Sequence, residues 1–296
     1  MVPGAIHNGP GVGVLFNPAL ADFVADHTQH LDYLSVIPDR FWRDHGLGAD
    51  PRFEDTSAGE AALARAAQRL PIVLHGIGLS ICSADVFDRE YLSQLERWRA
   101  RYDCQWVSEH LSFSRIGAGH ETNAGIALPV PFDRSIIDML RPRIEAARSI
   151  LGCPFLLENN VSYFTFPGED LTEPQFLNEL ARSAGCSLLL DLHNVYTNSR
   201  NHGFDAKAFL SELDLARVGE IHVAGGSEMM GFYTDSHTGA VHEAVWELLS
   251  FVAPRCANLR GVTFEFHEST WPMLRAEGVL AQLERARSAL AAVRVA

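Results

Sequence analysis

Eight short apolar segments recur along this chain of 296 residues and alternate with longer segments rich in alanine, leucine and arginine. Near-continuous apolar runs of this length are typical of parallel strands that are buried on both faces. Strands are predicted at residues 11–16, 33–37, 72–76, 105–110, 155–159, 187–192, 220–225 and 262–266. The longer segments predict helices at residues 55–69, 88–102, 133–151, 173–183, 206–213, 240–253 and 270–293.

Eight strand–helix units over this length favour an α/β fold, a (β/α)8 TIM barrel, with residues 1–296 forming a single domain. An open doubly wound sheet is the alternative, but it usually carries a Gly-rich phosphate loop after its first strand. The segment Asn17-Pro18-Ala19 follows the first strand here and lacks that pattern. The active sites of TIM barrels lie at the carboxyl ends of the strands, which the long loops at 38–55 and 112–131 are expected to cover.

The charge balance is acidic, because 24 Lys and Arg residues stand against 37 Asp and Glu residues, a formal net charge of −13. A phosphate backbone or an anionic membrane surface would be repelled on average, so neither nucleic acid nor membrane is an expected partner. The first residues lack the charged and apolar regions of a signal peptide, and no apolar stretch is long enough to span a membrane. We expect a soluble, cytoplasmic protein.

The five cysteines are far apart in the sequence and form no Cys-x-x-Cys pair. This spacing predicts neither a zinc knuckle nor a disulfide framework. Buried, unreactive thiols are the expected state of the cysteines that open apolar runs. The five are Cys82, Cys104, Cys153, Cys186 and Cys256.

Nine potential metal ligands lie where the predicted strands end or in one loop beyond them. A single histidine at a strand end is more often a structural residue than a ligand. A carboxylate at the end of a buried strand is different, because an uncompensated charge there costs several kcal/mol. Several such carboxylates at one end of a barrel would repel each other unless multivalent cations lay between them. The nine residues are His75, His110, Glu158, Asp191, Asn194, His222, Asp235, His237 and Glu265.

The segment that follows the sixth strand leaves one assignment open. In a continued strand, Asp191 and His193 would share a face, and Asn194 would lie on the turn beyond. Alternation alone does not decide whether His193 or Asn194 points towards the metal. The spacing of Asp235 and His237 allows both side chains to chelate one ion from an extended loop, although this triplet alone is weak evidence.

Several motifs, in the same order along the chain, resemble those of the multinuclear non-haem iron-dependent oxidases (MNIO). They are HGIGLS (75–80), SEHLS (108–112), LLENN (156–160), LLLDLHNVYTNSRNHG (188–203), EIHVAGG (220–226) and TDSH (234–237). The barrel of this family is similar to the xylose isomerase-like and endonuclease IV-like metal barrels. The resemblance therefore implies the same TIM-barrel fold and a site with two or three iron ions, in mixed Fe(II) and Fe(III) states.

The resemblance also implies how the ligands divide among the ions. A first ion would be held by His75, His110 and Glu158. Glu158 would bridge to a second ion, which is completed by Asp191, His222 and Glu265. A third ion would be held by Asn194, Asp235 and His237. Zinc-dependent relatives usually have histidine in place of Asn194, and a neutral amide oxygen favours iron over zinc.

The chain departs from the family pattern in four places, none of them a proposed ligand. Phe16-Asn17 stands where the first strand often has a histidine, and Glu109 replaces an aspartate before His110. Asp39 occupies a position where glutamate is common, and His193 one where asparagine is frequent. These changes concern the placement of the substrate more than the metal ligands.

The function implied by the resemblance is oxidation of cysteine residues in a ribosomally made precursor peptide, with O2 as co-substrate. A separate partner protein that captures the leader peptide is expected. No residue is assigned as a general base; His193 and Asp39 are candidates for contacts with the substrate or with the metal ligands. The alternatives are a zinc- or manganese-dependent sugar isomerase, an endonuclease IV-like hydrolase, and a non-catalytic metal-binding protein.

Overall fold

The computed structural model describes residues 9–117 and 122–293, and within them eight parallel strands close into a barrel. Around the barrel each strand lies beside its neighbours in the sequence, and β1 pairs with both β2 and β8. The strands are β1 (Gly11–Phe16), β2 (Tyr33–Val36), β3 (Ile72–Gly76), β4 (Val107–His110), β5 (Phe155–Glu158), β6 (Ser187–Asp191), β7 (Val218–Ala224) and β8 (Gly261–Glu265). The predicted TIM barrel is confirmed, and closure excludes the open doubly wound sheet.

Helices surround the barrel and cover its outer face. They are α1 (Ala21–His27), α2 (Ser57–Ala66), α3 (Arg89–Tyr102), α4 (Arg134–Leu151), α5 (Glu173–Ala184), α6 (Leu192–His202), α7 (Ala206–Glu212), α8 (Glu243–Val252) and α9 (Trp271–Val293). The seven predicted helices are present with ends shifted by a few residues. Helix α5 is capped by Thr172, whose side chain accepts a hydrogen bond from the backbone N–H of Gln175.

Helices α1 and α6 were not predicted, and α6 corrects the prediction that a strand continues to residue 192. The Asp191 carboxylate accepts a hydrogen bond from the backbone N–H of Asn194, 2.7 Å away, and so caps the helix. The strand therefore ends at Asp191 and the chain turns at once into α6. Strand alternation does not apply to His193 and Asn194, because both lie in the first turn of a helix.

The barrel interior below the strand ends is filled by large side chains. Tyr33, Val73, Trp106, Leu156 and Leu189 form this layer, with at most 1% of any side chain exposed. Glycines in β1 and β8 leave room for the Tyr33 ring. A Cβ atom at Gly13 would lie 2.7 Å from that ring, and one at Gly261 would lie 2.4 Å from its hydroxyl. The closed layer forms the floor of whatever binds above it.

Three hairpins extend from the carboxyl ends of strands β2, β4 and β7. They pair Trp42–Asp44 with Phe53–Asp55, Phe113–Ile116 with Thr122–Leu128, and Ser227–Met229 with Phe232–Thr234. The first two lie within the long loops that were predicted to cover this end of the barrel. The third was not predicted.

One buried aspartate joins the first two hairpins to α3. The Arg52 and Arg115 guanidinium groups each donate a hydrogen bond of 2.6 Å to the Asp88 carboxylate, which also caps α3. Their side chains are at most 8% exposed. Buried, hydrogen-bonded ion pairs of this kind are expensive to break from one side only.

The described residues contain no helix that is long and apolar enough to cross a membrane. All five cysteines are free, and four of them are buried. Burial raises the pKa of the Cys104 and Cys186 thiols, which open apolar runs, and this agrees with the prediction of unreactive thiols there, whereas Cys153 is only partly buried. Residues 1–8, on which the prediction about a signal peptide rests, and residues 118–121 of the second long loop lie outside the described part of the chain.

Candidate metal centre

Strand register brings the predicted ligands to one height at the carboxyl end of the barrel. His110 pairs with Glu158 across β4 and β5, and Asp191 pairs with His222 across β6 and β7. These residues form three overlapping groups of potential ligands, and within each group the ligand atoms all lie within 4.8 Å of one another. The groups are His75–His110–Glu158, His75–His222–Glu265 and Glu158–Asp191–His222.

The first group uses one oxygen of Glu158. Its Oε2 atom lies 3.5 Å from His75 Nε2 and 3.2 Å from His110 Nδ1. The Ser108 hydroxyl lies 3.0 Å from the other ring nitrogen of His75, so Nε2 is turned towards the carboxylate. The Asn160 side-chain oxygen lies 3.0 Å from His110 Nδ1, the same nitrogen that faces Glu158. The Ser108 contact on the far nitrogen of His75 is of the kind that fixes the rotamers of metal-ligating histidines.

The group of Glu158, Asp191 and His222 uses the other oxygen of the same carboxylate. Glu158 Oε1 lies 3.5 Å from His222 Nδ1, which lies 3.3 Å from Glu265 Oε1. Asp191 completes this group. Glu158 thus presents one oxygen to each group, which is the geometry of a carboxylate that bridges two ions.

The loop beyond β7 supplies the remaining pair of ligands. His237 Nε2 lies 2.9 Å from Asp235 Oδ1 and 3.7 Å from Glu265 Oε2, so the Asp-x-His spacing does bring both side chains together. His237 has a left-handed backbone with φ of 49°, a conformation that costs about 1–3 kcal/mol and clusters at functional sites. His193 Nε2 lies 3.5 Å from Asp235 Oδ1.

Asn194 lies beside Asp191, and its two side-chain atoms have different environments. The amide nitrogen donates a hydrogen bond of 3.0 Å to the backbone oxygen of Asn159, which fixes the amide. The amide oxygen is buried and has no hydrogen bond. An oxygen held in this way is available to a cation.

The charges at the centre are strongly coupled. Burial raises the pKa of Glu158, but His110 and His75 lower it further, and it falls to about 2. Burial and the charges of Glu158 and Asp235 raise the pKa of Asp191 well above its usual range. Without a metal ion, therefore, the negative charge of these carboxylates is only partly compensated by neighbouring positive charge.

Two histidines supply that charge as protons. Burial lowers the pKa of His237, but Asp235 raises it more, to about 10. The pKa of His222 also lies well above its usual value, because Glu265 and Glu220 outweigh the effect of burial. A metal ion would displace these protons, because a histidine ligand must be neutral.

Buried polar atoms without a hydrogen bond gather at this centre. Such atoms are rare in native proteins, and an unoccupied coordination position is one physical reason for them. In the part of the chain that the structure describes, five of the nine such side-chain atoms lie here: Glu158 Oε2, His193 Nδ1, Asn194 Oδ1, His222 Nδ1 and Asp235 Oδ1. The residues present therefore fit one or more metal ions, and mixed oxygen and nitrogen donors are compatible with iron.

Sequence reasoning missed Glu220, which lies one layer below the metal centre. Its side chain is fully buried and accepts hydrogen bonds of 2.7 Å from Trp106 Nε1 and from the Thr263 hydroxyl. It also lies 3.2 Å from His222 Nε2. A proton on Nε2 can be donated to Glu220, which leaves Nδ1 of His222 free to face Glu158. The charged residue in the buried segment GEIHVAG was the available signal.

Asp39 and His193, the candidates for contact with the substrate, and the family variant Glu109 have different hydrogen-bond partners. The carboxylate of Asp39 accepts hydrogen bonds from the Tyr91 hydroxyl, at 2.8 Å, and from the backbone N–H of Ile77. Burial raises the pKa of Asp39 to about 6. Glu109 is fully buried and accepts from the backbone N–H of Leu79, so it supports the loop after β3. His193 lies against the side chain of the proposed ligand Asp235, and Glu109 accepts a hydrogen bond of 3.2 Å from the backbone N–H of His110.

A family model described as "RiPP precursor modification enzyme MbnB/TglH/ChrH" matches residues 11–291, where RiPP denotes a ribosomally made and later modified peptide. The chain belongs to this family. The resemblance drawn from the motifs is thereby confirmed. The family's enzymes act on RiPP precursors, which agrees with the predicted class of substrate.

Curated relatives support the same assignment. A UPF0276 protein of Rhizorhabdus wittichii is 36% identical over 239 residues, which is 80% of each chain. A UPF0276 protein of Caulobacter vibrioides is 35% identical over 227 residues, covering 77% of this chain and 79% of the relative. The family's residues therefore extend along most of the barrel.

Solved structures resemble this chain in fold. Endonuclease IV from Thermus thermophilus superposes with a TM-score of 0.55 and 18% identity, covering 95% of this chain and 99% of the other. A D-psicose 3-epimerase from Clostridium cellulolyticum gives a TM-score of 0.59 and 10% identity, with coverage of 95% and 99%. At this level of identity the likeness supports the TIM barrel alone.

Proposed function

We propose that the protein is a multinuclear iron-dependent oxidase that uses O2 to modify cysteine residues of a precursor peptide. The observation that carries the proposal is Glu158, whose two oxygens face two different groups of ligands in a chain of this family. Bound iron would supply the one-electron chemistry through which O2 oxidises a cysteine. The nine ligands divide among two or three ions as predicted above, with Glu158 as the bridge.

The protein's own contribution is to hold the ligands and to limit access to them. The side chains of His75, Glu158 and His222 are at most 3% exposed, so water is excluded from that side. On the opposite side, His110, Asp235 and His237 are 25–27% exposed. A substrate would therefore approach the centre from the side of these three residues.

Exposed apolar side chains suggest what binds above the centre. Among the described residues, ten large hydrophobic side chains are exposed, and all ten lie in connections that follow the carboxyl ends of barrel strands. Clustered exposed apolar residues mark interaction surfaces. They are Leu47, Ile77, Ile116, Ile126, Tyr163, Phe164, Met229, Met230, Phe232 and Met273. This face suits an extended peptide and, beside it, a partner protein that holds the leader.

The test measures O2 uptake by anaerobically purified, iron-loaded protein. We expect two to three irons per chain and O2 consumption with a Cys-containing precursor peptide, but none with the same peptide carrying Ser in place of Cys. Mass spectrometry of the peptide should show a change at the cysteine. Zinc occupancy after iron-replete expression, with no O2 uptake on any such peptide, would overturn the proposal in favour of a zinc-dependent enzyme.

A matched set of variants tests the bridge. Glu158→Gln should lower the iron content by more than one ion, because both groups lose the same carboxylate. Asn194→Ala should reduce mainly the third ion, and the exposed Glu284→Gln should leave the content unchanged. Equal loss of all ions in Asn194→Ala would contradict the proposed division.

A further inference from the structure

A cavity of about 360 Å³ lies between the β5–α5 connection and helices α5–α7, outside the set of nine ligands. Its volume is within the range of sites for small ligands or single side chains, roughly 300–1,000 Å³. Aromatic and aliphatic side chains from three parts of the chain form its walls, among them Phe132, Phe166, Leu177, Phe204 and Phe209. Aromatic walls bind apolar groups and the faces of cations.

The inner wall of this cavity is shared with the metal centre. Asn159 and Asn160 follow Glu158 directly and line the cavity. The Asn160 side-chain oxygen lies 3.0 Å from His110 Nδ1, and the Asn159 side chain exchanges two hydrogen bonds, of 3.0 and 2.8 Å, with the backbone of Asp191. A group bound in the cavity would therefore lie one residue away from the ligands, on the partly open side of His110.

The charged side chains that line the cavity include no lysine or arginine. They include four carboxylates, those of Glu169, Glu173, Asp205 and Glu212. Glu169 accepts a hydrogen bond from the backbone N–H of Phe132, and Asp205 caps α7. Among the described residues, Glu173 and Glu212 have no hydrogen bond or ion pair for their carboxylates.

Glu173 is the carboxylate that most needs a partner. Its side chain is half-buried at the start of α5, whereas Glu212 is exposed at the rim. Burial, and next the charge of Glu169, raise the pKa of Glu173 to about 8. A cation beside it would reverse this shift, because an opposite charge favours the ionised carboxylate.

We propose that this cavity is a subsite for a lysine or arginine side chain of the substrate peptide, with its aliphatic stem against the aromatic walls and its charged end at Glu173. Lysine and arginine bind in this way because their stems are apolar and only their ends are charged. An anionic side chain would meet four carboxylates, and a neutral one would leave Glu173 without a partner. The identity of the ligand as part of a peptide rests on the proposed function, whereas the chemistry of the cavity does not.

The first experiment tests the cavity without turnover. Calorimetric titration of the iron-loaded protein under anaerobic conditions compares 4-phenylbutylamine with the neutral 4-phenylbutan-1-ol. We expect the amine to bind about tenfold more tightly, as for a charge-assisted contact in a partly buried site. Glu173→Gln should reduce the amine to the affinity of the alcohol, and Glu284→Gln should change neither.

Glu169→Gln is a second variant, because its amide oxygen can still accept from Phe132, and it should weaken amine binding by a smaller factor. Thermal unfolding of each variant shows that it is folded. Equal affinity for amine and alcohol, or an amine affinity unchanged in Glu173→Gln, would overturn the proposal. The second of these results would point to an amine bound at iron.

The second experiment tests whether the cation belongs to a peptide. Capped peptides contain one Cys and one Lys separated by zero to three glycines, each beside its norleucine counterpart. At one spacing, lysine should strengthen binding at least fivefold in the native protein and not in Glu173→Gln. Equal binding of lysine and norleucine peptides at every spacing would overturn the peptide assignment. Neither result depends on O2 consumption, so a failure here is distinct from a failure of the oxidase proposal.

Discussion

The contact between Glu220 and His222 predicts the effect of one small change, Glu220→Gln. Trp106 Nε1 can only donate, so the amide oxygen of the glutamine must remain opposite it. The amide N–H then faces the Thr263 hydroxyl and His222 Nε2, which are donors to Glu220 in the native protein. The hydroxyl can reverse its role, but His222 must accept on Nε2 and carry its proton on Nδ1. That proton points at Glu158 and blocks the nitrogen that would bind metal.

The magnitude follows from these contacts. Residues that orient metal ligands change metal affinity by about 10–100-fold, which corresponds to about 1.4–2.8 kcal/mol. If the glutamine turns the other way, its N–H opposes the indole N–H of Trp106 inside a fully buried layer. That arrangement costs about 1–3 kcal/mol of folding stability. Either orientation is unfavourable, so metal affinity and stability cannot both be preserved.

The assay is a competitive titration of iron with a chelator under anaerobic conditions, together with urea unfolding of the metal-free protein. Thr263→Val is the matched control, since it removes the hydrogen bonds of the Thr263 hydroxyl to Glu220 and to the Tyr33 hydroxyl and leaves the His222 contact in place. It should cost about 1–3 kcal/mol of stability and change iron affinity by less than roughly threefold. Iron affinity and unfolding stability both unchanged in Glu220→Gln, or equal weakening of iron binding in both variants, would refute the role assigned to Glu220.

Three further predictions concern the barrel and its connections. Asp88→Asn should lower the free energy of unfolding, measured in urea, by about 3 kcal/mol, because it removes a buried charge shared by Arg52 and Arg115. The control Glu90→Gln, at an exposed partner of Arg52, should cost less than about 1 kcal/mol. Similar values for the two variants would contradict the buried pairing. Gly13→Ala should cost about 1–3 kcal/mol because its methyl group would lie 2.7 Å from the Tyr33 ring, and Tyr33→Phe, which keeps that ring, should not restore the loss. The pKa of Glu173 is about 8 in the folded protein, above its value in the unfolded chain, so the unfolded chain releases the proton at lower pH. The native protein should therefore lose stability as pH rises from about 4.5 to 8. Glu173→Gln should lack that part of the loss, which thermal unfolding of both proteins across this range measures; parallel pH profiles would show that Glu173 ionises normally.

The sequence pattern predicted the barrel, and it singled out most of the residues that gather at the candidate metal centre, for one physical reason. Parallel strands are apolar throughout, so a carboxylate such as Glu158 or Glu265 at the end of an apolar run is conspicuous. Closure of the barrel then brings the strand ends together regardless of the loops. Residues that depend only on strand position, such as His75 and His222, were therefore found together in the structure.

The parts that were missed depend on contacts that a one-dimensional pattern does not contain. Helix α6 has the polar sequence of a loop, LHNVYTNSRNH, and is helical because its first seven residues are buried against neighbouring elements. Glu220 occupies an inward position in β7. Its three hydrogen-bond partners are Trp106 and Thr263, which are distant in the sequence, and His222, which lies two residues along the same strand. The cavity beside α5 is formed by the connections that follow β4 and β5, which have no periodic pattern, together with helices α5, α6 and α7.

The position of Asp88 has a consequence for how this barrel could be adapted to different peptides. Arg52 and Arg115 hold both neighbouring hairpins to Asp88 near their loop ends, because Arg52 directly precedes Phe53, which pairs with Asp44, and Arg115 pairs with Asn123. The exposed side chains of Leu47 and Ile126, in the same hairpins, take no part in this attachment and can be exchanged without breaking it. Under the proposed function, substrate choice could therefore change at these exposed side chains while the predicted metal ligands stay in place.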